Sequence, residues 1–365
     1  MAKNQYDLTT ALILSLYPRD DNTQMAVYRI NTTVFLKRIR HTPEELAPFN
    51  NFTDQTEFRK DRIIQVLKDN EIQMENIRIV MGRGGLLKPV TSGVYLVNEK
   101  MRNDLKNNEL GEDVVNLGGL IADAVAKELP DAKAYIADPV VVDEYDDISR
   151  ISGHPLFERK SIFHALNQKA VAREHAKSLG RKYEDMNFIV VNLGRGNTVG
   201  AHHLGRVIDA TQGYDGDGPF SPIGSGTLPI GDVIRMCFSG KYSEQEMLKM
   251  VRGEGGLKAY LGVDNVYEAE KMIEAGDKKA QLILDAMIYQ VAKSVGFLSM
   301  AFQEPVDAIL VTGDCANNKY LINNLVERIV KIAPVHIYPG DEELQALAQN
   351  GLMVMRGEIE VLNYK

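Results

Sequence analysis

Gly194-Arg195-Gly196-Asn197 stands between a largely apolar run, Phe188-Ile189-Val190-Val191-Asn192-Leu193, and two further β-like segments over 198–203 and 206–210. Two glycines in a turn between strands, if they take positive φ, let successive N–H groups converge on one anion, and phosphate is the anion such turns hold. The bland alternative is a hairpin turn that holds nothing. Gly194, Gly196 and Gly200 are spaced GxGxxxG, which misses the dinucleotide fingerprint, and no helix opens directly after them. A second glycine turn, Gly313-Asp314-Cys315-Ala316-Asn317, lies between a buried strand over 306–312 and a helix over 319–332. That order puts a helix N-terminus at the turn, suited to an anion or a ribose edge. Charged groups also stand where strands end. Arg83, within Gly82-Arg83-Gly84-Gly85 after a strand over 77–81, either reaches an anion or is solvated on a flexible loop. Asp138 follows a strand over 134–137, a place for ligand chemistry in α/β proteins and equally for caps and turns. His164 lies half a turn from Leu166 in a helix over 161–179 and faces either a cleft or a polar surface.

The chain lays out its elements twice. Near the start an apolar run over 11–16, a polar turn over 18–24 and strands over 25–30 and 33–39 repeat the order seen around Gly194. Each triplet is followed by helices and a later strand, so the economical expectation is two similar halves facing one nucleotide cleft, an actin-like kinase plan. The fold class expected is therefore α/β: two duplicated actin-like (ribonuclease H-like) domains with mixed sheets flanking a nucleotide cleft. With 365 residues the chain exceeds one core, and the expected domains are 1–180 on the carboxylate side and 181–365 on the nucleotide side, the last helix packing back on the first.

Net charge is −8, which argues against nucleic acid or an anionic membrane as main partner. Cys237 and Cys315 are too few for a disulfide framework. The apolar run over 11–16 is too short for a secretory core, and no apolar run reaches about 18 residues, so the expected location is cytoplasmic. Helices are expected over 54–70 with Asp54 as N-cap, 98–108, 113–128, 230–238 and 243–252. The four glycines of 253–262 suggest a loop that either lies against an adenine or merely connects. A central packing helix is expected over 278–302. The last helix opens at Asp341 and carries Leu344, Leu347, Ala348, Gly351, Leu352 and Met355 on one face. Glu342 and Glu343 in its first turn suit the helix dipole or an outer-shell magnesium contact.

Four segments together carry a resemblance: 82–89 (GRGGLLKP), 137–144 (ADPVVVDE), 159–170 (RKSIFHALNQKA) and 216–222 (GDGPFSP). With Pro229-Ile230-Gly231-Asp232 and the last helix, the ordered set resembles the butyrate kinases, grouped with acetate kinase in the sugar kinase, heat-shock and actin superfamily. The resemblance covers nearly the whole chain. It implies transfer of the γ-phosphoryl of ATP, with Mg2+, to a short or branched carboxylate to give an acyl phosphate, and the reverse reaction. By position it implies that Arg83 holds the substrate's charge, Asp138 orients the carboxylate or Mg2+, and His164 steadies the transferring group. It further implies that Glu343 acts through the metal's water, that Asn192 and the turn of Gly194, Arg195, Gly196, Asn197 and Thr198 take the phosphates, and that Gly313, Asp314 and Asn317 take the adenosine. Partners implied are the carboxylate, ATP and a homo-oligomer, or a hetero-oligomer with an intact paralogue.

The phosphate contacts depart from the family pattern. Its first turn usually reads Asn-Pro-Gly-Ser-Thr-Ser-Thr-Lys, and this chain has Tyr17-Pro18-Arg19-Asp20-Asp21-Asn22-Thr23-Gln24. A carboxylate about 4 Å from a phosphate charge costs roughly 1 kcal/mol in water and about 4 at an effective dielectric of 20 unless magnesium bridges them. Arg195 replaces the middle glycine of the second turn, Asp314 replaces the second glycine of the adenosine turn, and Gly224 stands where an arginine follows Phe220-Ser221-Pro222 in the family. Loss of such an arginine costs roughly 10³ to 10⁵ in rate by analogy with arginine fingers. Two readings follow: a working carboxylate kinase in which Arg19 or Arg195 replaces the lost cations, or a catalytically impaired paralogue acting as a structural, regulatory or ligand-binding partner.

Overall fold

A computed structural model describes residues 6–340 and 342–365; Asp341, the expected cap of the last helix, lies outside the described residues. The chain divides into two compact units, Met1–Val142 with Glu342–Lys365, and Asp143–Asp341. The first begins with β1 (Leu12–Pro18), β2 (Asn22–Arg29), β3 (Thr32–Arg40), β4 (Ile77–Arg83), β5 (Val94–Leu96) and β6 (Lys133–Ala137). The second holds β7 (Asn187–Leu193), β8 (Asn197–His203), β9 (Arg206–Ala210), β10 (Ala308–Gly313) and β11 (Val335–Pro339). Finally β12 (Val361–Asn363) joins the first unit's sheet beside β5.

The sheet orders are β12-β5-β6-β4-β1-β2-β3 and β11-β10-β7-β8-β9. Within them β3-β2-β1-β4-β6 and β9-β8-β7-β10-β11 are the same arrangement, an antiparallel meander of three strands with two parallel strands added beside the first. Both sheets are mixed, and the duplicated α/β plan expected from the repeat is present. Every residue of β1 and of β7 is buried, which is what a largely apolar run becomes when both faces of a central strand are covered. By contrast β3 ends its sheet and is largely exposed, and its Lys37, Arg38 and Arg40 discourage pairing with another edge.

The division falls after Val142 and not at 180, because the Ala165–Ser178 helix packs on β7 and β10. The segment before it is tied to the same unit. Tyr145 donates its hydroxyl to Ala210 O at 2.8 Å, and Lys169 pairs with Glu144 at 2.6 Å. The Glu343–Arg356 helix packs on β1 and β4, where a Cβ on Gly351 would lie 3.1 Å from Ile13 and Met81. The long Lys278–Ser299 helix is, by length and composition, able to cross a membrane. Its Leu284, Met287, Ile288, Val291 and Val295 instead join Val191, Val199 and Val311 in the second unit's core.

Some boundaries differ from expectation. The 161–179 helix starts only at Ala165, leaving His164 at its N-cap position. Asp54 does not cap the helix that follows. It sits in a 3-10 turn, Phe52–Gln55, where its carboxylate accepts from Asn51 N, and the helix runs Thr56–Asp69. The glycine-rich 253–262 segment contains a helix, Gly256–Leu261, whose first residue lies so close to Ser221 O that only a glycine fits.

Candidate active site

In the second unit the chemistry-bearing residues gather where β7 and β10 end. These strands are parallel neighbours with Asn192 opposite Thr312, and Asn167 of the adjoining helix donates to Asn192 Oδ1 at 2.6 Å and Thr312 Oγ1 at 3.3 Å. Gly313 has φ 98°, and a Cβ there would sit 2.2 Å from Leu193 O, so this turn admits only glycine. Asp314 and Asn317 beyond it are exposed.

The β7–β8 turn is built differently from the sequence expectation. Leu193 pairs with Asn197, which leaves a connection of Gly194, Arg195 and Gly196, and neither glycine takes a positive φ. No neighbour demands them either: a Cβ on Gly194 meets nothing closer than 3.7 Å, and one on Gly196 meets His164 Cε1 at an ordinary 3.5 Å. The turn's shape comes from side chains. Gly194 N–H donates to Asn197 Oδ1 at 3.2 Å, Asn197 Nδ2 donates to Phe220 O at 3.0 Å, and Ser221 Oγ donates to Arg195 O at 2.5 Å. The Arg195 side chain is half exposed and lies 3.7 Å from Asp264. His164 comes to the same turn, its Nδ1 2.8 Å from the buried hydroxyl of Thr198.

In the first unit β4 and β6 end side by side, Arg83 opposite Ala137, so Arg83 and Asp138 are carried to one sheet end. Asp138 is buried with φ 38°, a left-handed backbone immediately before Pro139, where the chain ordinarily prefers an extended form. Strain of this kind is worth about 1–3 kcal/mol and collects at working sites. Its Oδ1 accepts from Ser92 Oγ at 2.5 Å and Gly93 N at 2.9 Å, and its own N–H donates to Gly93 O. Arg83 Nε forms an ion pair with the buried Glu343 at 2.9 Å, joining two residues that the sequence reading treats separately. Its guanidinium also stacks 4.7 Å from the ring of Tyr17, against which Arg19 rests at 4.8 Å.

Sequence reasoning passes over Arg59. It is fully buried and donates to Arg19 O, Asp20 O and Asn22 O, fixing the β1–β2 turn from beneath, and to Gln55 and Thr23. Burial lowers its pKa to about 10 despite the opposing pull of Asp20 and Asp21. Those two carboxylates, expected from sequence to repel phosphate unless magnesium bridges them, also act on a buried cation. The signal was available: Arg59, Ile63 and Leu67 form one buried stripe at four-residue spacing, and a charge in such a stripe needs partners. Arg59→Met is expected to destabilise the first unit by about 3–5 kcal/mol, since three carbonyls lose a charged donor. Urea unfolding monitored by circular dichroism checks this, and a midpoint equal to that of the wild type would refute the clamp.

Two sheets that share one five-strand arrangement, each carrying polar residues where its central strands end, make a duplicated α/β fold of actin-like plan, and the chain belongs to the acetokinase family, whose sequence model matches residues 154–358. Among its relatives are butyrate kinase 1 of Clostridium acetobutylicum, 48% identical over 97% of this chain and 99% of that protein, and a probable butyrate kinase of Bacteroides thetaiotaomicron, 47% identical over 97% and 99%. Among solved structures, acetate kinase from Porphyromonas gingivalis superposes with a TM-score of 0.74 at 16% identity, covering 94% of this chain and all of that one. Acetate kinase from Entamoeba histolytica gives 0.74 at 17%, covering 93% and 98%.

Proposed function

We propose that this chain transfers the γ-phosphoryl group of ATP to a short or branched fatty carboxylate, giving ADP and an acyl phosphate, and catalyses the reverse. The observation that carries this reading is the turn of Gly194 and Gly196 beside His164. Where neither φ nor packing requires a glycine, close approach of a ligand to the backbone is the remaining physical reason for one. Phosphoryl transfer asks a protein mainly to position groups and to neutralise charge on the equatorial oxygens. In this reading Gly196 and its neighbours from Asn192 to Thr198 cradle the phosphates, His164 steadies the transferring group, and the Gly313–Asn317 turn takes the adenosine. Arg83 holds the acceptor's negative charge and Asp138 orients it.

Magnesium fits the first unit's donors in one mode. Among the described residues no three His, Cys, Asp or Glu side chains gather to hold a metal. Magnesium needs no such cage, because it keeps several waters and takes one or two carboxylates beside substrate phosphates. Asp138, and Glu343 through water, are the hard oxygen donors that would hold it. When bound, it would supply neutralising charge to the β- and γ-phosphates. The partners in this reading are ATP, a carboxylate and further copies of the chain, in the cytoplasm, without nucleic acid.

The test is direct. Purified protein is incubated with ATP, magnesium and straight or branched acids of two to five carbons, and acyl phosphate is trapped with hydroxylamine. Product with one or more acids supports the reading, and no product with any acid sinks it. Gly196→Ala is a finer probe: the methyl meets only ordinary contacts in the protein, so the fold should persist while ATP binding weakens about tenfold. Calorimetric titration with ATP measures this, and unchanged affinity would remove the turn from the phosphate site.

A further inference from the structure

Behind His164 a line of buried polar side chains runs into the second unit. Thr198 Oγ1 lies 2.8 Å from His164 Nδ1 and 2.9 Å from Gln168 Nε2; Gln168 Oε1 lies 3.0 Å from His202 Nε2; and His202 Nδ1 lies 2.7 Å from the hydroxyl of Tyr183. Thr198, Gln168 and His202 are fully buried and Tyr183 nearly so. We propose that Tyr183, His202 and Gln168 act as positioning residues that hold neutral His164 in the tautomer protonated at Nε2, making it a donor toward the Gly194–Gly196 turn.

The directions of the bonds from Gln168 to Tyr183 follow from what each atom can do. The amide nitrogen of Gln168 faces both the hydroxyl of Thr198 and its carbonyl oxygen at 3.4 Å, and a carbonyl only accepts, so the nitrogen end is the one directed at Thr198. Oε1 is then left to accept from His202 Nε2–H. His202 is kept neutral, its pKa well below the ordinary value because burial penalises the charged ring, with Lys169 and Arg173 opposing it as well. A neutral ring protonated at Nε2 accepts at Nδ1, so Tyr183 donates to it. Thr198 Oγ1 accepts from Gln168, and in the proposed arrangement its single hydroxyl proton goes to His164 Nδ1. That leaves the proton of the neutral His164 ring on Nε2. This edge looks to the turn: a Cβ placed on Gly196 would lie 3.5 Å from Cε1 and 4.0 Å from Nε2. A phosphoryl oxygen at the turn would thus meet an N–H donor without the imidazole having to take up a second proton. That use of the donor rests on the phosphoryl-transfer reading; the tautomer itself does not.

The tautomer is read directly from two-bond proton–nitrogen correlation spectra of protein labelled with 15N-histidine, at a pH where the ring is neutral. The His164 signals are assigned by their loss in His164→Asn. The expected pattern is that of the Nε2–H ring, and an Nδ1–H pattern in the wild type overturns the proposal. Gln168→Glu replaces the donor with a carboxylate oxygen of equal size, which draws the Thr198 hydroxyl toward residue 168 and should convert His164 to the Nδ1–H form. With it kcat should fall about 10- to 100-fold while KM for ATP stays within about twofold. Persistence of the Nε2–H pattern in folded Gln168→Glu also overturns it. The wild-type spectrum needs no substitution and no turnover, so failure of the relay and failure of the kinase reading are separable.

Discussion

Asp138→Asn is expected to lower kcat for acyl phosphate formation about 10³-fold, with the protein folded and its urea midpoint nearly unchanged. In the function proposed above, the size follows from loss of a charged group that would orient the reacting carboxylate or its metal. The clean separation from stability follows from local structure. Asparagine keeps a side-chain oxygen to accept from Ser92 Oγ and Gly93 N, and it tolerates the left-handed backbone, φ 38°, about as well as aspartate does. The charge is removed, and one carboxylate oxygen becomes an NH2 donor. Hydroxylamine-trapped product and circular dichroism on the same preparation make the comparison. Activity within threefold of wild type would show that Asp138 serves the turn alone, and a collapse of stability would show that its charge is structural.

Gly224→Arg is expected to act in the opposite direction, raising kcat about 100-fold or more. An arginine that meets the transferring phosphoryl group is worth roughly 10³ to 10⁵ in related chemistry, and part of that is to be recovered when the side chain is supplied. Gly224 is not in a left-handed conformation, so its backbone admits a side chain. A Cβ there would come 2.9 Å from Ser221 Oγ, a hydroxyl that can rotate, though rotation gives up both its bond to Arg195 O and the one it accepts from Gly224 N. Steady-state rates with saturating ATP decide the matter. An unchanged kcat would mean that the charge is already present from elsewhere. Within their own units, Arg19 stacks on Tyr17 beside Arg83, and Arg195 lies 3.7 Å from Asp264.

What could be read from sequence and what could not have separate physical causes. The two meanders are legible because β1 and β7 are short, largely apolar runs each followed by a polar turn and two more strand-like segments, a pattern set within a few residues. The short strands β5, β11 and β12 carry three to five residues of mixed exposure and leave no such trace. Arg83 and Asp138 are legible because strand ends are. Their surroundings are not, since Glu343 reaches Arg83 from 260 positions along the chain. The contact between His164 and Thr198 spans 34 residues and is equally invisible to local pattern. The glycines of the β7–β8 turn can accept positive φ, the commonest reason for glycine in a hairpin, but they do not take it, and Asn197 and Ser221 hold the turn by hydrogen bonds instead. The boundary expected at 180 moves to Val142 because a helix is assigned by what it packs on, and Ala165–Ser178 packs on β7 and β10.

The first unit is made of two stretches of chain, and its Glu343–Arg356 helix lies against β1 and β4, whereas the second unit is one continuous stretch. On the ribosome the two therefore mature in an inverted order. Residues 143–341 can close their own core as soon as they emerge, while the opening strands, synthesised first, wait for a helix translated about 330 residues after β1 before their apolar face is covered. The newest part of the polypeptide thus completes its oldest, and that interval is when chaperones have the most to protect.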